Sequence, residues 1–278
     1  MENQSIEKRL VIEAGRGEAH YWRDVRRYHE LFYFLAWRDI LVRYKQTVVG
    51  IAWSVLRPLI AMIIFTIVFG RIARFPSSGV PYPILVLTGL LPWQFFASVL
   101  GETSFSLVSN SNMLSKVYFP RLIIPASTLI VNLVDFSISL ILLACLMAWY
   151  QVVPGWQIAA LPIFLALAMF SSFGLGILFA ALNVKFRDFR YIIPVIIQSG
   201  FFISPVGYSS TMVPEKWRLL YSLNPMVGVI DGFRWVFLGT HSQLYLPAFF
   251  ISVGYTMVTL WVGLKYFRKM ERTFADVI

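Results

Sequence analysis

Three charged side chains, Arg57, Glu102 and Asp135, stand inside otherwise apolar stretches, and chemistry could be assigned to them first. An ionisable group at membrane depth is costly and marks a functional site by default. Asp135 falls near the centre of its stretch, and Asn132, one turn away, could hydrogen-bond it as a neutral acid. Arg57 and Glu102 fall nearer the ends of theirs and are expected to form a structural pair with each other. A proton-coupled transporter needs several ionisable groups at mid-depth, and Asp135 has no companion there.

Other chemistry lacks its residues. There is no Gly-x-x-x-x-Gly-Lys-Ser/Thr phosphate loop and no Gly-Lys dipeptide at all, so the chain is not its own ATPase of that type. A His-Glu-x-x-His zinc motif is also missing, and the three histidines, His20, His29 and His241, are scattered over the N-terminal region and a loop. Cys145 is the single cysteine, inside an apolar stretch, and is read as packing. No enzymatic activity, cofactor or metal is expected in this chain.

The elements that position these residues follow from composition. Of 278 residues, 58% are hydrophobic and 14% charged, against roughly 45–50% and 25% in soluble domains. The excess comes in runs close to the roughly 20 residues that carry a helix across a bilayer. Six are expected to span, at 51–70, 83–101, 122–150, 158–184, 191–208 and 244–264. Backbone in hydrocarbon must satisfy its own hydrogen bonds, and none of the runs alternates as barrel strands do, so the fold class is all-α integral membrane. In the fourth run Ala168, Ser172, Gly176 and Ala180 recur every fourth residue, a stripe that lets another helix approach closely.

The net charge of +10 reflects topology rather than nucleic acid. Eighteen of the 24 Lys and Arg residues fall in residues 1–48, in alternate loops and in the C-terminal stretch from Lys265 to Arg272, which the positive-inside rule places in the cytoplasm. Residues 1–30 carry no secretory signal and read as a cytoplasmic tail. Both termini are expected in the cytoplasm of a multi-pass bacterial inner-membrane protein. Loops 106–121 and 185–190 go with them, while 73–82, 151–157 and 209–243 are external.

Three segments outside the spans carry information. Residues 31–48 form an interface helix, with Trp37, Ile40, Leu41 and Tyr44 on an apolar face and Arg38, Asp39, Arg43, Lys45 and Gln46 on a water-facing one. It is an anchor, a cytoplasmic gate or a docking surface. The loop from Asn110 to Arg121 holds a short helix expected to end near Tyr118, because Pro120 disfavours helix just before it. Residues 209–243 are too apolar for water, yet broken at Pro214, Pro225 and Gly239, and read as re-entrant helices. The transmembrane domain covers 49–270, and 271–278 form a C-terminal tail.

Five segments together resemble the permease subunit of ABC-2-type polysaccharide exporters, a family that includes the O-antigen, teichoic-acid and capsule exporters. They are RYKQTVVGIAWSVLRPL (43–59), YPILVLTGLLPWQFF (82–96), NSNMLSKVYFPRLIIP (110–125), RDFRYIIPVIIQSGFFISPVGY (187–208) and MVPEKWRLLYSLNPMVGVIDGFRWVFLG (212–239). The last looks more like the O-antigen type. The resemblance implies a second copy of the chain, two cytoplasmic ATPase subunits that bind ATP and Mg, and a polyprenyl-diphosphate-linked glycan moving between protomers. It maps ATPase coupling onto Asn110, Asn112, Leu114, Lys116, Val117 and Tyr118, with Leu114, Val117 and Tyr118 as the apolar grip. It maps a docking or gate helix onto Trp37–Lys45. Sugars present apolar C–H faces to aromatic rings, and Trp53, Phe201, Phe202, Tyr208 and Trp217 are the expected channel contacts. The alternatives are an ABC-2 permease for a smaller lipid or drug-like amphiphile and, further off, an ion-coupled secondary transporter. The latter needs inverted repeats, and none is visible.

Overall fold

The computed structural model describes residues 18–45, 50–77, 79–114, 116–117, 119–239, 242–271 and 274. Gln46, Tyr118, His241 and most of both expected tails lie outside the described residues, as does the side chain of His20.

Every element found among the described residues is helical. Two helices precede the first span, α1 (Glu18–Arg27) and α2 (His29–Lys45). The first span is α3 (Gly50–Phe65), which continues through a π-helical turn, Thr66–Ile72. Next come α4 (Tyr82–Ser109), a single turn α5 (Ser111–Leu114) and α6 (Ile123–Trp149). A 3₁₀ turn, Trp156–Ala160, leads into α7 (Leu161–Lys185), and α8 (Phe189–Ile203) follows. The interrupted segment supplies α9 (Glu215–Tyr221) and α10 (Pro225–Leu238), and α11 (Leu246–Glu271) is the last span.

Five helices are long and apolar enough to cross a bilayer, and α8 is apolar but only 15 residues long. Tyr21 of α1 donates its hydroxyl to Glu271 at the end of α11 at 3.4 Å, and the backbone N–H of Arg121, just before α6, donates to the same carboxylate at 2.8 Å. Both ends therefore meet at one end of the bundle. Six crossings, with α8 as the short sixth, is the count expected from the sequence, and it would bring the two described ends to one side.

The core is built around α4, which is buried along most of its length and packs most extensively against α7 and α6. Lipid is as apolar as leucine, so close packing and interhelical hydrogen bonds hold these helices together. The small-residue stripe serves that packing. Ala168, Ser172 and Ala180 are fully buried, and a Cβ on Gly176 would meet Thr103 of α4 at 2.7 Å. Thr103 and Thr128 share a 2.9 Å hydrogen bond between α4 and α6, a contact worth on average ~0.6 kcal/mol in a membrane bundle.

The segment expected to re-enter is broken into short helices at the proline positions. Pro225 is the first residue of α10, where its missing N–H costs nothing, and Asn224 caps that helix by accepting from Met226 N at 3.0 Å. α10 is almost wholly buried against α11, α4 and α7.

Candidate functional site

α2, α3, α4 and α6 enclose a cleft of about 670 Å³ whose lining is part carboxylate and amide, part aromatic. On its polar side, Arg43 of α2 donates one guanidinium nitrogen to Glu102 of α4 and another to Asp135 of α6. The Tyr44 hydroxyl also donates to Asp135, and Ser54 Oγ of α3 donates to it at 2.9 Å. Asn132 gives its amide to Glu102 at 2.9 Å and to its own helix at Thr128 O at 2.8 Å. Trp53, Trp93, Phe95 and Phe136 form the aromatic side. Arg43, Glu102 and Asp135 are each about one-third exposed toward the cleft (31%, 34% and 29%).

Burial pulls the Arg43 guanidinium down, but Glu102 and then Asp135 outweigh it and hold the group above its ordinary range. The Tyr44 phenol is pushed up to about 12, first by burial and then by donating to Asp135. Two carboxylates against one arginine leave a net negative charge, and Arg57 lines the same cleft. The arrangement offers hydroxyl-binding groups beside ring faces, as sugar recognition requires.

This geometry corrects three expectations. Glu102 pairs with Arg43, and among the described residues Arg57 has no ion-pair partner. Asn132 bonds Glu102 rather than Asp135. Arg43, and Tyr44 with it, turn inward rather than splitting between a water face and an apolar face. The cause is the cost of charge at membrane depth. Two carboxylates there need a counter-ion, and the long planar guanidinium can reach both while its stem stays against apolar surface. The rest of α2 divides differently too. Leu35 and Ala36 are buried, Ile40 is half-buried, and Trp37 and Leu41 are exposed. Arg38 bonds Asp39 at 2.9 Å and Asn110 at the end of α4 at 3.1 Å.

The coupling loop is less helical than expected. α5 stops at Leu114, and Leu114 is 7% exposed, part of the same buried cluster as Phe119 and Leu122, so it offers no grip to a partner. A four-residue helix, Ser-Asn-Met-Leu, is too short to persist alone, and burying Leu114 is what anchors it. Asn112, Lys116 and Val117 face outward.

The expected channel aromatics separate into two groups. Trp53 (50% exposed) stands at the cleft, and Trp217 (53%) lies on the surface of α9. Phe202, 70% exposed, packs edge-on against Phe201, whose ring also meets Trp93 and Phe65. A run of rings therefore joins the cleft to the outer surface of α8. Tyr208 bonds Tyr221 through their hydroxyls at 2.9 Å. Trp93, Ser54 and Gln94 were missed as site residues, although the quoted segments contain all three. Asp231 and Arg234 were missed because nothing in the pattern of the re-entrant segment shows which of its charges pack inward; they are 3% and 2% exposed.

The ABC-2 type transporter family profile matches residues 30–238. An O-antigen export system permease protein RfbA of Klebsiella pneumoniae is 30% identical over 243 residues, 87% of this chain and 92% of the relative. The protein of that name from Myxococcus xanthus is 29% identical over 259 residues, 92% and 98% of the two chains. The polysialic acid transport protein KpsM of Escherichia coli is 22% identical over 242 residues, 84% and 91%.

Proposed function

The chain belongs to the ABC-2 type transporter family, and on that premise we propose that it is the channel-forming subunit of an ATP-driven exporter. Its cargo is a polyprenyl-diphosphate-linked polysaccharide of the O-antigen type, carried across the bacterial inner membrane. The observation that carries the cargo is the run of rings from Trp93 through Phe201 to exposed Phe202, beside a cleft with carboxylate and amide groups. Ring faces take the C–H faces of sugars without fixing their hydroxyls, which suits a polymer that must slide. Relatives named for O-antigen and polysialic acid transport, aligned over most of both chains, support the same reading.

Two copies of the chain form the path, with both termini in the cytoplasm. Two ATPase subunits bind ATP and Mg, and this chain receives their motion through Asn112, Lys116 and Val117. Asn110 lies beside that surface, tied to α2 through Arg38, so α2 moves with it. Deleting the gene should remove the surface polysaccharide while lipid-linked polymer accumulates inside the cell, and a plasmid copy should restore it. Undiminished surface polymer in the deletion strain would refute the cargo assignment.

A further inference from the structure

At 15 residues, α8 is about 22 Å long, short of the roughly 30 Å of hydrocarbon. The crossing is completed by Ser204–Tyr208, which is not helical. Its carbonyls therefore lack intrahelical donors, and backbone of this kind persists at membrane depth only where protein satisfies it. Arg234 of α10 does so twice, donating Nη2 to Val206 O at 3.0 Å and Nη1 to Tyr208 O at 2.8 Å. Tyr82 donates its hydroxyl to Gly207 O between them, and Asn224 donates to Ser204 Oγ at 2.9 Å. Asp231, one turn before Arg234, accepts from Ser210 Oγ at 2.6 Å and attracts the guanidinium electrostatically. Gly89 of α4 leaves the room for all this. A Cβ there would stand 2.9 Å from both Arg234 Nη2 and Val206 O.

We propose that Arg234 is a positioning residue that latches the outer mouth of the export path, holding the unwound Ser204–Tyr208 segment in place at the end of α8. An apolar side chain of similar size would fill the same volume without burying a charge, so packing alone does not account for an arginine. Its planar fork presents donors on two separate nitrogens to two carbonyls in a fixed geometry, which the single-centred lysine ammonium does not match. Phe201 and Phe202 stand immediately before the latched segment, and Tyr208 closes it. The latch thus sets where the aromatic surface ends and whether the mouth is shut at rest. This inference rests on the export reading for the meaning of the mouth.

The test uses the full chain assembled with its ATPase, reconstituted in vesicles without ATP, and follows leakage of a trapped small anionic dye. Wild-type vesicles should be tight and Arg234→Met vesicles leaky. In cells, Arg234→Lys should keep the chain at normal abundance and lower export about tenfold, the weight of one charge-assisted hydrogen bond. Should Arg234→Met fail to accumulate, Gly89→Ala, which crowds the guanidinium from α4, and Tyr82→Phe, which frees Gly207 O, decide the matter. Leakage from both supports the latch, and tight vesicles with normal export in both overturn it. The dye assay contains no polysaccharide, so it reads the latch even if the cargo assignment fails, whereas the deletion experiment reads the cargo alone.

Discussion

Arg43 and Arg234 are the same residue solving opposite problems about 20 Å apart along α4, judged from the 13 residues that separate Gly89 from Glu102. Arg43 bridges two carboxylates on other helices and stays about one-third open to a cleft. Arg234 is sealed, its carboxylate neighbour lies on its own helix, and its hydrogen bonds go to backbone carbonyls. An open charge cluster can exchange partners, with water or a sugar hydroxyl replacing a lost bond. A sealed one cannot, so it serves to hold backbone in place. On this contrast we propose that the cleft is the part of the molecule that handles cargo and α10 the part that stays still.

The largest test of the contrast removes each arginine in turn. Arg234→Met leaves Asp231 buried without its counter-charge and should cost about 3–5 kcal/mol, read as a lower unfolding midpoint in detergent. Adding Asp231→Asn should recover part of that loss. Arg43→Met should cost less, about 1–3 kcal/mol, because water reaches the abandoned carboxylates through the cleft. Equal losses at the two positions would break the distinction.

A smaller effect is expected inside the open cluster. Asp135→Asn keeps an acceptor for Tyr44 and Ser54 but loses the ion pair with Arg43, and it should destabilise by about 1–2 kcal/mol. Export should fall more than abundance does, because the cleft chemistry changes while the packing does not. Export that tracks abundance would make Asp135 purely structural.

The coupling loop gives an effect on assembly alone. Val117→Glu on its exposed face should lower copurification of the ATPase several-fold and leave the unfolding midpoint within about 0.5 kcal/mol of wild type. Leu114→Glu should instead destabilise the permease itself, since it buries a charge in the core. The reverse pattern would place the partner surface on α2.

The smallest effect is a titration. The Tyr44 phenol ionises near 12 in the folded protein, against about 10 unfolded. Between those values the unfolded state has lost the proton and the folded state has not, so this contribution is complete below pH 10 and lost as pH rises through 12. The difference in phenolate absorbance between wild type and Tyr44→Phe should therefore appear near pH 12. A difference centred near pH 10 would show that Tyr44 is neither buried nor bonded to Asp135.

Run length alone was enough to locate the long spans, because a helix is the backbone's own solution to hydrocarbon and takes its signal from consecutive residues. The small-residue stripe on α7 was legible for the same reason, since four-residue spacing defines a helix face whatever the helix meets. Proline positions likewise marked where residues 209–243 would break. Which charges meet was not legible. Arg43 lies 59 residues from Glu102 and 92 from Asp135, and a helical pattern carries no information across such separations. Arg57 looked the better partner for Glu102 only because both sit in apolar runs. The inward turn of Arg43, the burial of Leu114 and the sealing of Arg234 depend on which helix faces which, and that choice is made by packing the whole bundle around α4. Local periodicity therefore determined the elements, and the cost of burying unpaired charge and unbonded backbone, which only the assembled helices can relieve, decided the sites.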